Sequence, residues 1–177
     1  MKGPVGVGFV GFGRQAEFHA KAMQALPDQF RLVAVSDVTP ARRAAAQGYG
    51  MSAGEAVESA FAEGVELVFI TSHSSLHYAH AMAAIASGRH LMVEKPFAMD
   101  GGQAREMVDA ARAKGVLLTC FHNRRWDDDV RLVRQAITDG RLGDLISIEN
   151  RSAGARPAVG VGTPDFHQRS EEHTSEL

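Results

Sequence analysis

Apolar side chains arrive along this chain in short bursts separated by longer amphipathic stretches. Val5, Val7, Phe9 and Val10 make the first burst, and Phe30 to Ser36, Glu66 to Thr71, His90 to Glu94 and Val116 to Cys120 make four more. Short, nearly continuous apolar runs of this kind predict strands buried on both faces. Between them the spacing lengthens. A helical pattern begins near Arg14 and stops before Pro27, while Ser52 to Ala62 and Ser74 to Ser87 read as helices, the latter ended by Gly88 as a left-handed cap. Asp100 opens another helix, in which Ala104, Met107, Val108 and Ala111 follow i, i+3, i+4, i+7 spacing before Gly115 closes it. Strands and helices that alternate in this way predict a doubly wound α/β domain with a parallel sheet.

Past Cys120 the rhythm changes. A polar, basic loop from Phe121 to Trp126 leads into a helix whose Val130, Val133 and Ile137 share one face, with Gly140 and Gly143 at its end. Leu145 to Glu149 then alternates apolar and polar, the pattern of a strand with one solvated face. The expected organisation is a doubly wound domain over residues 1–120 and the truncated start of an α+β domain over 121–168. The last stretch, Arg169 to Leu177 (RSEEHTSEL), follows no hydrophobic plan and matches the in-frame translation of a common sequencing-library adapter. It is read as a non-native tail and set aside from fold reasoning.

Composition narrows the function classes. The 177 residues are 45% hydrophobic, enough for a real core, and carry a net charge of −2. That balance offers no basic field for nucleic acid, and no apolar run reaches the length of about 18 residues that a membrane crossing needs. The N-terminus enters strand pattern almost at once, without a signal-peptide core. A single cysteine, Cys120, allows no internal disulfide and suits a reducing, cytoplasmic setting, and its place at the end of an apolar run reads as a small core residue. No cluster of His, Cys or carboxylates has metal-ligand spacing.

The chemistry starts where the first strand breaks, at Gly11-Phe12-Gly13-Arg14-Gln15-Ala16. Strand, glycine turn and helix in that order form a dinucleotide fingerprint. Gly11 permits the turn, Gly13 lets a pyrophosphate approach the backbone, and Ala16 lets helix and strand lie close. Asp37, 24 residues after Gly13 at the end of the second strand, is placed to accept from an adenine ribose 2'-hydroxyl. A carboxylate there favours NAD over NADP. Arg42 and Arg43 on the following helix leave NADP open.

A second block, Ile70 to Pro96 (ITSHSSLHYAHAMAAIASGRHLMVEKP), makes a resemblance specific. The glycine turn with His19 downstream, Asp37, His77 after the third strand, Glu94-Lys95-Pro96 after the fourth and Asn123-Arg124-Arg125 after the fifth together resemble the Gfo/Idh/MocA oxidoreductases over residues 5 to about 152. The resemblance implies a Rossmann domain, with Lys95 as the catalytic residue that assists proton transfer while a hydride moves to or from NAD(P). It also implies a sugar, polyol or related secondary alcohol or carbonyl as substrate, and a full-length homo-oligomer. Cofactor contacts are expected from Gly11, Phe12, Gly13, Arg14, Gln15, Asp37, Thr71, Ser72, His73, His77 and Glu94. Ser72 and His73 depart from the residues relatives commonly carry there. His80 and His90 read as solvent-facing or satisfied locally. Two rival readings share the resemblance: a non-catalytic dinucleotide-sensing regulator, and a glycoside hydrolase that uses NAD as a transient redox helper. The family's D-x-x-x-H segment has no counterpart, since Asp165 and His167 are only two apart.

Overall fold

Strand β1 (Val5–Val10) is the axis of the molecule, and it is buried along nearly its whole length. In the computed structural model, which describes residues 3–149, it is flanked by β2 (Phe30–Ser36) on one side and β4 (Leu67–Ile70) on the other. With β3 (Ser52–Gly54), β5 (His90–Val93) and β6 (Leu118–Cys120) they form a six-stranded parallel sheet in the order β3-β2-β1-β4-β5-β6. Helices α1 (Arg14–Gln24), α2 (Pro40–Gln47), α3 (His77–Ala86) and α4 (Gly101–Lys114) supply the crossovers. The doubly wound Rossmann sheet expected from the pattern is therefore the fold.

Alternation along β1 sends side chains into two cores. Val7 and Phe9 join Phe12, Ala16, Ala20, Val35, Met51 and Phe69, while Val10 joins Ile70, Ala81, Ile85, Leu91, Val93 and Met107. Gly6 and Gly8 face the second core with no side chain, because the backbone carbonyls of Gly64 and Ala60 occupy the space a Cβ would fill. Burial of these apolar side chains supplies most of the driving force, at about 25 cal/mol per Å² removed from water.

Three expected elements differ. Ser52 to Ala62 is not one helix: Ser52–Gly54 pairs with Ala34–Ser36 as the outer strand β3, and only Val57–Phe61 coils, as a short 3-10 turn. Gly54 lies against the Ser59 side chain and gives its carbonyl to the Asp37 amide at 3.1 Å, a tertiary bond that holds the segment extended. Leu145–Glu149, expected as a strand, joins no ladder among the described residues, and Ile146 is 97% exposed. Alternation only prepares a strand, and a ladder partner has to complete it. The first turn expected of the helix at Ser74 is 3-10, with regular α3 beginning at His77.

The chain divides into two compact units, one ending at Val130 and the other beginning at Arg131. Helix α5 (Asp128–Thr138) crosses that boundary and presents Val133 and Ile137 to solvent. The tail expected at 169–177 lies outside the described residues. No helix among the described residues is long and apolar enough to cross a membrane.

Candidate functional site

Strands β1 and β4 are neighbours whose crossovers run to opposite sides, so a crevice opens beyond their carboxyl ends. Gly11 turns the chain there at φ +86°, in the region that favours glycine. A Cβ at that point would sit 2.8 Å from Ser72 Cα, so the crossovers that leave β1 and β4 touch backbone to backbone. The Thr71 hydroxyl fastens the contact by donating to the Gly11 carbonyl at 2.6 Å. Gly13 is the last residue before α1, with open space where its Cβ would be. The unpaired amides at the start of α1 therefore face the crevice entrance, the exposed Gln15 lines cavities there, and Arg14, also exposed, is the first residue of the helix.

On the β2 side, Asp37 is buried and its carboxylate is held from three directions. Oδ2 accepts the Phe12 N–H at 2.7 Å, Oδ1 accepts the Thr39 N–H at 2.7 Å, and the Arg42 guanidinium stands 3.7 Å away. Arg43 donates to the Asp37 carbonyl, also at 2.7 Å. A cavity of about 210 Å³ opens beside it, walled by Val10, Val38, Val57 and Leu76 and edged by Asp37, Arg42, Glu55, Ser72, His73 and His80. Apolar walls with a carboxylate at the edge suit an aromatic base and its ribose. His80 reaches the Ser72 hydroxyl at 2.8 Å, and burial, helped by neighbouring His77, pushes its pKa below the ordinary value.

On the β5 side, Glu94 and Lys95 emerge at the strand's carboxyl end. Lys95 is exposed and shares a cavity of about 640 Å³ with Gln15, Glu94, Phe121, His122, Asn123, Arg124 and Arg125. A smaller cavity of about 170 Å³ joins Lys95 to Gln15, Thr71, Ser72, Ser74, His77 and Glu94. The His77 ring itself is only 1% exposed, with Nδ1 2.7 Å from the Pro96 carbonyl and Nε2 3.1 Å from the Ser72 carbonyl. It ties the crossover that leaves β4 to the Lys95-Pro96 turn, whose peptide is cis. His90 accepts the Leu117 amide, and burial pushes the Cys120 thiol up. No group of side chains among the described residues could hold a metal ion.

The structure thus gathers Gly11, Phe12, Gly13, Arg14, Gln15, Asp37, Thr71, Ser72, His73, His77, Glu94 and Lys95 along one edge of the sheet. Sequence reasoning gave His19 no role of its own. It is buried on the inner face of α1 with Ala16, Ala20 and Met23, and its Nε2 lies 2.9 Å from Glu94 Oε1. The available signal was a histidine in the middle of an otherwise apolar helix face, which needs a buried partner.

A glycine turn, a buried acid and a lysine-bearing strand end around one crevice define the class of dinucleotide-binding α/β domains. The family comparison makes the class specific. Residues 5–122 match the Gfo/Idh/MocA oxidoreductase family, NAD-binding Rossmann fold, and the chain belongs to that family. The chain is 40% identical over 95 residues to a scyllo-inositol 2-dehydrogenase (NADP(+)) of Bacillus subtilis (strain 168), covering 54% of this chain and 26% of that protein. It is 32% identical over 145 residues to a D-glucoside 3-dehydrogenase of Escherichia coli (strain K12), covering 80% of this chain and 41% of that one. Among solved structures, the WlbA dehydrogenase of Bordetella pertussis in complex with NADH and UDP-GlcNAcA superposes with a TM-score of 0.76 at 29% identity, covering 81% of this chain and 42% of that chain. The chain spans less than half the length of each of these proteins.

Proposed function

We propose that this chain is the cofactor-binding part of an NAD(P)-dependent oxidoreductase acting on a sugar, polyol or related secondary alcohol or its carbonyl. The observation that carries the reading is the convergence of the Gly11–Gly13 turn, the Asp37 carboxylate and the Glu94-Lys95 strand end on one crevice. The residues present fit a dinucleotide. Gly13 leaves room for a diphosphate against the first amides of α1, the cavity beside Asp37 offers apolar walls for a base, and the larger cavity at Lys95 is open to a second ring. When bound, NAD(P) supplies the hydride donor or acceptor.

The chain's own groups do the rest. Gly13, Arg14 and Gln15 present main-chain amides and polar tips to the phosphates, while Gly11 shapes the turn and Phe12 commits its amide to Asp37. Thr71, Ser72, His73 and His77 form the opposite wall, and Glu94 closes the far end. Lys95 holds or releases a proton at the substrate oxygen, so that charge on that oxygen is balanced as the carbon changes oxidation state. Its exposure at the mouth of the larger cavity leaves the ammonium free to meet an incoming hydroxyl. Asp37 favours NAD, since its carboxylate accepts from a ribose hydroxyl and repels a 2'-phosphate. Arg42, 3.7 Å from that carboxylate and half exposed, is the group through which NADP is accommodated. The B. subtilis relative, named for NADP(+), supports keeping that second cofactor in view. A cytoplasmic location and a homo-oligomeric full-length enzyme are part of the same reading.

The test is a fluorescence titration of the chain with NADH and NADPH. NADH binds and its nicotinamide emission rises. Asp37→Ala weakens NADH more than NADPH, while Lys95→Met leaves NADH binding within about twofold and, in a separate assay, abolishes any slow reduction of NAD+ by a polyol. A chain that binds neither nucleotide refutes the reading.

A further inference from the structure

We infer that His19 is a positioning residue, which through Glu94 locks the phosphate-facing helix to the lysine-bearing strand end. The inference rests on the dinucleotide reading above. His19 and Glu94 lie 75 residues apart in the chain and meet at 2.9 Å, both nearly inaccessible to solvent. A carboxylate only accepts, so His19 Nε2–H is the donor. The other carboxylate oxygen, Oε2, accepts the Lys95 N–H at 3.2 Å. One side chain thus holds two things at once: the inner face of α1 through His19, and the main chain from which the Lys95 amine projects.

The surroundings keep the imidazole in one pose. Its ring meets Phe121 edge-on at a centroid distance of 4.5 Å and lies tilted against Phe69 at 5.0 Å. Gln15, one helical turn before His19, lines both cavities that contain Glu94 and Lys95. The bond therefore sets the distance between the amides of the α1 start and the far end of the crevice. Each Glu94 oxygen has accepted one bond from the protein, which leaves a lone pair on each for hydroxyls of a bound ribose. A burial partner chosen only to fill space needs no such geometry, and a leucine would serve on this face of α1.

The test compares NADH with ADP, which carries the adenosine and the diphosphate but neither the second ribose nor the nicotinamide, on the 177-residue chain. His19→Met is expected to weaken NADH about tenfold while ADP binding stays within about twofold, since only the far end of the crevice is released. His19→Gln, whose amide N–H falls near the place of Nε2–H, is expected to restore NADH binding. In a double-mutant cycle the His19→Met and Glu94→Gln losses should not add, because His19 acts through Glu94. Should His19→Met fail to fold by circular dichroism, His19→Asn, too short to reach Oε1, carries the same expectation. Equal loss of both ligands, unchanged NADH affinity, or additive losses in the cycle would overturn the inference and leave the dinucleotide reading standing. A wild-type chain that binds neither ligand fails the dinucleotide reading itself, and the inference with it.

Discussion

Gly11 shows how much one residue of this chain is asked to do. It takes a backbone conformation that side chains avoid, and it lies close enough to Ser72 that a methyl group would meet Cα at 2.8 Å. Gly11→Ala is expected to cost about 2–3 kcal/mol from strain and displacement together, seen as a fall in Tm by calorimetry. Gly13→Ala, with open space around it, should leave Tm almost unchanged and instead weaken NADH by blocking the approach of a diphosphate, which an affinity titration would register. His80 gives a different signal. Burial first, then His77, depresses its pKa below the ordinary 6.5, so the unfolded chain takes up its proton before the folded one does. Stability owed to this group is complete above about pH 6.5 and is lost as pH falls through the folded value. His73, Asp37, Arg42 and Glu55 edge the same cavity. The measurement is Tm between about pH 7.5 and 5.5, which should fall more steeply in the wild type than in His80→Gln.

Among the elements, those that punctuate themselves were the easiest to read. Helix α4 begins where Asp100 accepts the Gln103 N–H at 2.9 Å, and it ends at Gly115, φ +72°. Both ends are written in residue type, as a capping acid and a left-handed glycine. Asp100→Ala should therefore cost about 1 kcal/mol in chemical denaturation without changing NADH affinity. Segment Ser52–Ala62 was harder, because a three-residue strand is shorter than any period and its pairing with Ala34–Ser36 is decided by a partner elsewhere in the chain. The site divided along the same line. The places of Gly11, Gly13 and Asp37 at the ends of their strands were legible from pattern and spacing, while Lys95 was singled out only by the resemblance that Glu94-Lys95-Pro96 helps to carry. The duty of His19 was not legible, because Glu94 is distant in sequence and a histidine on an apolar face announces only that it needs some partner. Likewise the Phe12 and Thr39 amides that hold Asp37 are contributions of main chain, which leave no mark on residue type.

At the scale of the whole molecule, β1 divides the sheet into two banks. Asp37 stands on the β2 bank, and Glu94 with Lys95 on the β5 bank. Ligand binding raises stability by mass action, about 2.7 kcal/mol at a hundred times the dissociation constant. At equal fractional saturation, NADH and AMP should raise Tm alike, whereas slowing of hydrogen exchange at Glu94-Lys95 beyond the increase the two ligands share should come only with NADH, which on the dinucleotide reading reaches across; exchange mass spectrometry with each ligand checks this. The central place of β1 thus has a mechanical corollary. A molecule long enough to touch both shores works as a strap across the keel, and shear between the two half-sheets must first tear it loose, while a shorter one moors to a single side and lets the other drift.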